Sequence, residues 1–334
     1  MLAHKTPRMT RRHLLQAGLA TIGIASVATA VPQLANRGQH QQKVKVPPTP
    51  GDAPSFGETI SPMAIVRDFE WGTLKQENGR PVREFRINAQ TTELQLNSAI
   101  NFVTWNCNGR VPGPTLRAKA GERIRVIFFN QAGHSHSLHF HGIHPSEMDG
   151  IKPVRHGTAA IYEFDAEPFG VHLYHCHIAP VTRHIAKGLY GMFIIDPPQG
   201  RPPADEIVLV MGGYDIDDNQ KNELYAFNGI PHYYHRSPIP IYQNQLVRLY
   251  LLNMIEFDPV ATFHIHANFF RVYPSGMTLT PSWETDVITM GTAERHILEF
   301  SYPFVGDYMF HPHQDDIAEA GCMGKFKVIE PKNI

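Results

Sequence analysis

Residues 171–195 read VHLYHCHIAPVTRHIAKGLYGMFII, with the tripeptide His175-Cys176-His177 near the amino-terminal end of the stretch. In an extended segment, successive side chains point to opposite faces of the strand. The two histidines therefore face one way and the cysteine faces the other. Further along, Gly188-x-x-Gly191 leads into the apolar run 193–195, which predicts a closing strand.

The same pattern occurs twice along the chain. The first half has His139-x-His141 before this stretch, and the second half has His264-x-His266, His311-x-His313 and then Gly321-x-x-Gly324 before its last strand. Self-similarity at this scale indicates an internal duplication. The seam between the copies is residues 196–203, DPPQGRPP, so we predict two domains, 61–198 and 199–334.

Alternation of apolar and polar residues with period two predicts an all-β chain. It occurs at residues 84–87, 123–128, 246–251 and 325–328, and turns rich in Gly and Pro separate these runs. No long helical pattern competes. Each half has about the length of one Greek-key β-sandwich.

Composition narrows the function further. The chain has 334 residues, a formal net charge of −1, 20 His and only 3 Cys. The balanced charge gives no reason to expect nucleic acid or an anionic membrane as a partner. Three cysteines cannot make a disulfide scaffold, whereas so many histidines indicate bound metal.

The amino-terminus predicts export. Residues 10–15, TRRHLL, are similar to a twin-arginine motif, an apolar stretch reaches residue 31, and Ala28-Thr29-Ala30 is a cleavage site of the expected kind. We therefore predict a signal peptide over 1–30, a flexible polar arm over 31–60 and a periplasmic or extracellular protein. No other segment is long and apolar enough to span a bilayer, so no membrane span is expected in the mature chain.

The histidines and one cysteine form two ligand sets. Blue-copper centres use two His and one Cys with a weak axial group, and His136, Cys176 and His184 supply them. The axial position is Leu189, which cannot coordinate, so we expect three-coordinate copper with a raised reduction potential. The four His-x-His pairs give eight further imidazoles, the ligand set of a trinuclear copper cluster: His139, His141, His175, His177, His264, His266, His311 and His313.

These motifs together resemble the multicopper oxidases. The stretch 106–117, NCNGRVPGPTLR, is similar to the start of their first cupredoxin domain, and the resemblance covers about residues 60–331. More narrowly, the chain resembles the two-domain laccase-like oxidases that keep the blue copper in the first domain. The expected fold is two cupredoxin-like Greek-key sandwiches.

The resemblance implies four coppers per chain: one type 1, one type 2 and two type 3. His139 then binds type 2 copper, His141 binds type 3, and His175 and His177 go to different type 3 coppers. By analogy His264 is the second type 2 ligand. O2 and a small reducing substrate (a phenol, an aromatic amine or a metal ion) or a redox protein are the expected partners. A homotrimer with clusters between subunits is expected, and a monomer with an intramolecular cluster is the alternative.

The second half lacks a mononuclear copper site. The positions that correspond to the blue-copper ligands hold Ala261, Pro312 and either Ile317 or Ala320. None of these side chains can bind copper.

Reduction of O2 to water consumes protons, and Asp149 is the predicted proton donor. It follows His141-Gly142 in the way that an acid does in laccase-like oxidases. The alternative is a turn aspartate before glycine. Asp315 and Asp316 are weaker candidates. Cys107 and Cys322 are expected as free buried thiols, with a bridge between them left open. Seven histidines are expected to have structural roles: His134, His144, His156, His172, His232, His235 and His296.

Oxygen reduction by a laccase-like enzyme is the predicted function, and copper-containing nitrite reduction is the main alternative. By resemblance, nitrite reductases carry Asp where this chain has His139, single His in place of the second-domain pairs, and usually an axial Met. A copper carrier is a third reading, but the 11 Met are scattered rather than clustered.

Overall fold

The computed structural model describes residues 60–331, which form four β-sheets joined by turns and short helices. The predicted signal peptide and the polar arm up to residue 59 lie outside the described residues. Within the described range, no helix has the length and hydropathy needed to cross a membrane.

Ten strands between residues 69 and 196 build the first two sheets. They are β1 (Phe69–Glu70), β2 (Thr73–Glu77), β3 (Arg80–Gln95), β4 (Asn101–Cys107), β5 (Thr115–Lys119), β6 (Arg123–Asn130), β7 (His139–Phe140), β8 (Thr158–Asp165), β9 (Gly170–His175) and β10 (Tyr190–Asp196). Sheet 1 has the order β1-β5-β10-β9-β7, and sheet 2 has the order β2-β3-β6-β8 with β4 paired to β3.

Eleven strands from residue 205 onward build the other two sheets. They are β11 (Asp205–Tyr214), β12 (Leu224–Phe227), β13 (Ile239–Tyr242), β14 (Val247–Met254), β15 (Val260–Ile265), β16 (Phe270–Pro274), β17 (Trp283–Thr285), β18 (Val287–Gly291), β19 (Arg295–Phe300), β20 (Gly306–His311) and β21 (Gly324–Ile329). Sheet 3 has the order β12-β11-β14-β19-β16-β17, and sheet 4 the order β13-β21-β20-β15-β18.

Three apolar cores arrange these sheets in four layers. One core lies between sheets 2 and 1, a second between sheets 3 and 4, and a third joins β9 and β10 of sheet 1 to β11, β14 and β19 of sheet 3. In β10, Phe193 and Ile195 face the first core while Met192 and Ile194 face the third. The layer order is therefore sheet 2, sheet 1, sheet 3, sheet 4.

The short helices were not predicted from the sequence. They are α1 (Pro62–Ile65), α2 (Val181–Ala186), α3 (Tyr233–Arg236), α4 (Asp315–Glu319) and the 3₁₀ turn Ser146–Met148. Each is only a turn or two long, too short to show a helical period in the sequence. The period-two runs lie in β3, β6, β14 and β21 to within one residue, and the seam runs from the last residue of β10 to just before β11.

Candidate metal centre

His136, Cys176 and His184 converge at one point although three different elements carry them. Cys176 follows β9, His184 lies in α2, and His136 precedes β7 in a segment bridged to Val154. The cysteine Sγ lies 3.1 Å from Nδ1 of His184 and 3.7 Å from Nδ1 of His136. The two Nδ1 atoms are 3.1 Å apart, so all three donor atoms aim at one small volume.

Burial acts in opposite ways on His136, Cys176 and His184, which we call the triad: it keeps the two imidazoles neutral, as metal ligands must be, whereas it raises the pKa of the Cys176 thiol and so disfavours the thiolate in the absence of a bound cation. All three residues are buried. Burial and the neighbouring His184 lower the pKa of His136 to about 3, and burial with the nearby His134 and Arg183 lowers the pKa of His184 to about 4. Both imidazoles are therefore neutral at pH 7. The buried Nε2 of His136 has no hydrogen-bond partner among the described residues, so no acceptor there would stabilise a protonated His136 ring.

Two further residues, Leu189 and Trp105, lie close to the triad. Leu189 is fully buried in the same core cluster as Cys176, and its carbonyl oxygen accepts the Cys176 N–H at 3.0 Å. The half-buried ring of Trp105 lies 5.5 Å from the His136 ring and 5.0 Å from the His184 ring. Sequence reasoning did not single out Trp105.

Four histidines of the first half form a cluster, which we call half-site 1: His139, His141, His175 and His177. His139 in β7 pairs with His175 at the end of β9, and its ring lies 5.0 to 5.2 Å from the other three. Nε2 of His141 is 3.1 Å from Nε2 of His175. Nδ1 of His175 lies 2.9 Å from a backbone carbonyl, so Nδ1–H donates there and Nε2 is free for a metal.

Four histidines of the second half repeat this arrangement as half-site 2: His264, His266, His311 and His313. His264 in β15 pairs with His311 in β20, and the His264 ring lies 5.1 to 5.6 Å from the other three. Nε2 of His266 is 3.0 Å from Nε2 of His311. His264 therefore occupies the position that His139 has in half-site 1.

Asp149 contacts half-site 1 through two of its oxygens. Nδ1 of His139 lies 3.0 Å from the Asp149 backbone oxygen and 3.1 Å from its carboxylate Oδ1. Gly150 makes this possible: its φ is +78°, and a Cβ there would lie 2.3 Å from the carbonyl oxygen of Leu138. Any side chain at residue 150 would push the loop, and the carboxylate with it, away from the histidine.

Half-sites 1 and 2 lie in different layers. Half-site 1 is at the β7 edge of sheet 1, half-site 2 is in sheet 4, and sheet 3 lies between these two sheets. Within residues 60–331, no hydrogen bond or ring contact joins a histidine of one half-site to a histidine of the other.

Comparison with known proteins gives the family. Two family models, both described as multicopper oxidase, match residues 88–200 and 201–332. A solved structure described as a multicopper oxidase is 47% identical, with a TM-score of 0.80 over 81% of this chain and 97% of that chain. The chain belongs to the multicopper oxidase family.

Copper nitrite reductases are also similar to this multicopper oxidase. The copper-containing nitrite reductase of Neisseria gonorrhoeae is 26% identical over 275 residues, 74% of this chain and 69% of that protein. The structure of the enzyme from Nitrosomonas europaea is 26% identical, with a TM-score of 0.68 over 74% of this chain and 94% of that chain. The family thus places this chain among copper oxidoreductases with a cupredoxin-like fold.

The donor atoms present fit copper. A thiolate with two neutral imidazoles is the ligand set of a blue-copper site, and clustered imidazoles suit the borderline Cu(II) ion. Burial, with the neighbouring His175, lowers the pKa of His141 to about 3, and burial lowers the pKa of His175 to about 4. The ligand atoms of His139, His141 and His175 lie within 4.8 Å of one another.

Two further residues lie near the half-sites: His144, for which the sequence predicted a structural role, and Asp286, which the sequence did not indicate. Nε2 of His144 lies 3.8 Å from Oδ1 of Asp149, and the His144 ring is 5.8 Å from the His139 ring. Asp286 matches Asp149 on the other half-site, because Nδ1 of His264 is 2.7 Å from its backbone oxygen and 3.7 Å from its Oδ2. Only the pairing of β15 with β18 brings Asp286 there, and no local motif marks it.

The other predicted positions have simpler surroundings. Ala261 and Ile317 are buried in the core between sheets 3 and 4, with Ala320 packed against it. Asp315 and Asp316 lie exposed in the first turn of α4, where carboxylates stabilise the helix amino-terminus. Cys107 and Cys322 are free and buried in different cores, so there is no bridge between them.

The remaining histidines make local contacts. Nδ1 of His156 lies 2.7 Å from the Ala132 oxygen, Nε2 of His172 lies 2.8 Å from the Pro168 oxygen, and Nε2 of His296 lies 3.1 Å from Glu294 Oε1. The exposed His134 packs on Trp105. His232 and His235 lie at the start of α3 and inside it.

Proposed function

We propose that this protein is a laccase-like oxidase. His136, Cys176 and His184 would hold a copper that accepts single electrons from a reducing substrate, and half-site 1 of one subunit with half-site 2 of its neighbour would hold the three coppers at which O2 would be reduced to water. The observation that carries this proposal is the equivalence of the two half-sites. Nitrite reductases, by the resemblance described above, lack the second histidine of the second-domain pairs.

His139 and His264 are proposed as the type 2 ligands, because they hold equivalent places and each faces an aspartate. The close Nε2 pairs, His141 with His175 and His266 with His311, are proposed as type 3 ligands, completed by His177 and His313. Copper bound in these sites would supply the one-electron redox steps. Four coppers per chain follow, one of them at the triad.

The tripeptide 175–177 would connect the two kinds of site. Cys176 binds on one face of the backbone and its two neighbours bind on the other, so a few covalent bonds separate the triad from half-site 1. Leu189 lies in the same apolar cluster as Cys176 and has no atom that could donate to a copper held by the triad. A copper without a further donor would be more easily reduced, which would suit acceptance of electrons from weak donors.

Asp149 is the proposed proton donor. Its Oδ1 is within hydrogen-bond distance of His139, and the side chain is half-buried, so it can take up protons from solvent and pass them toward the cluster. Its backbone oxygen fixes the His139 ring separately. The orienting contact and the proton transfer therefore depend on different atoms of one residue.

A homotrimer is proposed because each half-site is incomplete within one chain. Apolar side chains are exposed close in sequence to histidines of each half-site: Ile143 follows His141, and Phe269 follows His266. Exposed apolar groups near unfilled ligand clusters support an interface. The two surfaces differ, so the contact is heterologous, and such contacts end by closing a ring.

We further propose the domain limits and location predicted from the sequence. Residues 61–198 form a first domain with the triad and half-site 1, and residues 199–334 form a second with half-site 2. Residues 1–30 direct export to the periplasm or beyond. Cleavage near residue 30 is measurable by amino-terminal sequencing of the exported protein.

Subunit complementation tests the proposal. His141→Ala damages half-site 1 and the equivalent His266→Ala damages half-site 2, so each variant alone should lose O2 reduction. Co-expressed in equal amounts, the variants should regain about one quarter of the activity, the random chance that intact halves meet in a ring. Recovery of no activity, with mixed trimers present, would show that the cluster is not shared between subunits.

Activity measurements with O2 and with nitrite distinguish the two candidate functions. We expect O2 consumption with a phenolic donor to proceed at four electrons per O2 and without release of peroxide. Nitrite reduction to nitric oxide in the absence of O2, at a rate that exceeds O2 consumption, would favour the nitrite reductase alternative that the similar Neisseria protein represents.

A further inference from the structure

A cavity of about 340 Å³ lies between α2, the helix that carries His184, and the segment 215–220. We call it the α2 cavity. The residues that matter here are Phe102, Arg183, Lys187, Asp215, Asp218 and Phe257. Its volume is at the lower end of the range for small-molecule sites, which suits a single aromatic ring.

Three of the four charged groups in the α2 cavity already have partners. Arg183 and Asp218 form an ion pair with a 2.6 Å contact. The buried carboxylate of Asp215 accepts backbone N–H groups of Asn219 and Gln220 at 2.8 and 2.9 Å. The charges of Arg183, Asp215 and Asp218 are therefore already compensated by contacts within the protein.

Lys187 is the exception. Its Nζ lies 4.1 Å from the centre of the Phe102 ring, and within residues 60–331 it has no ion pair. The side chain is half-buried, and burial lowers the pKa of its ammonium group, while the carboxylates of Asp218 and Asp215 act in the opposite direction without touching it. An ammonium with no carboxylate in direct contact has N–H groups that can donate to an anion.

We propose that the α2 cavity binds a phenol that carries a carboxylate. The carboxylate accepts from Nζ of Lys187, and the ring packs between Phe257 and the Lys187–Phe102 pair. Phe257 and Phe102 provide the apolar walls. The ion pair of Arg183 with Asp218 closes the cavity across its two sides, so a larger polycyclic donor does not fit.

The α2 cavity is connected to the triad through α2 and Trp105. Arg183 precedes His184 in α2, Lys187 caps the end of the same helix, and the guanidinium of Arg183 lies 5.9 Å from the centre of the Trp105 ring. That ring is 5.0 Å from the His184 ring, and the backbone N–H of Trp105 donates to the Lys187 carbonyl. Use of the cavity as the electron-donor site rests on the function proposed above, whereas ligand binding itself does not.

Calorimetry on the copper-free protein tests binding without any turnover. We expect 4-hydroxybenzoate to bind at least tenfold more tightly than 4-methylphenol, because its carboxylate can accept a charge-assisted hydrogen bond and the methyl group cannot. Lys187→Gln should abolish this preference and Lys187→Arg should keep most of it. Lys221→Gln, at an exposed lysine of the adjoining segment, is the matched control and should leave the preference unchanged.

A second measurement links binding to turnover. In the copper-loaded enzyme, Lys187→Gln should lower the ratio of kcat/KM for 4-hydroxybenzoate over 4-methylphenol about tenfold, through KM. Equal binding of both phenols by the copper-free wild type would overturn the inference even if oxidase activity is present. Lys187-dependent binding without O2 consumption would instead uphold the site and count against the proposed function.

Discussion

Asp149→Asn separates proton donation from histidine orientation. The substitution keeps the size of the side chain and the backbone oxygen, 3.0 Å from Nδ1 of His139, so the ring should stay in place. It removes the acid whose Oδ1 is 3.1 Å from the same nitrogen. A positioned general acid contributes about 10²- to 10⁴-fold, so kcat should fall by that factor, equivalent to about 3–5 kcal/mol.

Stopped-flow reoxidation of the fully reduced enzyme by O2 measures this step directly. Copper content and the type 2 EPR signal should match the wild type. Asp286→Asn is the matched control: its carboxylate is 3.7 Å from His264 and more exposed, so we expect less than about a tenfold loss. The reasoning is refuted if Asp149→Asn keeps kcat within about threefold of wild type with copper intact.

Three further predictions concern the triad, the assembly and pH. Cys176→Ser should remove the blue absorption and turnover while size-exclusion chromatography still gives a trimer; surviving turnover would move the electron-accepting site elsewhere. Phe269→Asp, at a side chain that is 60% exposed near His266, should dissociate the trimer and leave one blue copper per chain, whereas a stable trimer with four coppers would place the interface elsewhere. In the copper-free protein the depressed pKa values of His136 (about 3) and His184 (about 4) mean that unfolding takes up protons. Its free energy of unfolding should therefore fall as pH drops from about 6.5 toward 4, and chemical denaturation at constant ionic strength would show it. A flat profile would contradict the burial of these imidazoles in neutral form.

The clustering of many candidate ligands could be predicted because their placement follows local rules. Alternation along a strand places His175 and His177 opposite Cys176 whatever the rest of the chain does. The duplicated spacing similarly predicted half-site 2. The period-two runs predicted strands for the same reason, since side-chain alternation depends only on neighbouring residues.

Features created by long-range pairing were not predictable from these patterns. Asp286 reaches His264 because β15 pairs with β18, and Trp105 reaches His184 because β4 meets the end of α2. Helix α2 itself is a six-residue segment, too short for periodicity to reveal. His144 was given a structural role because a single histidine has no spacing signal, and only the loop before Gly150 brings Asp149 close to it.

Copper stoichiometry with EPR and visible spectra tests the central claim most directly. The purified, copper-reconstituted protein should bind four coppers per chain: one blue, one with an ordinary type 2 signal, and an EPR-silent pair held by histidines of both half-sites. Two coppers per chain with no silent pair would contradict the trinuclear cluster, and the eight clustered histidines would then need another explanation.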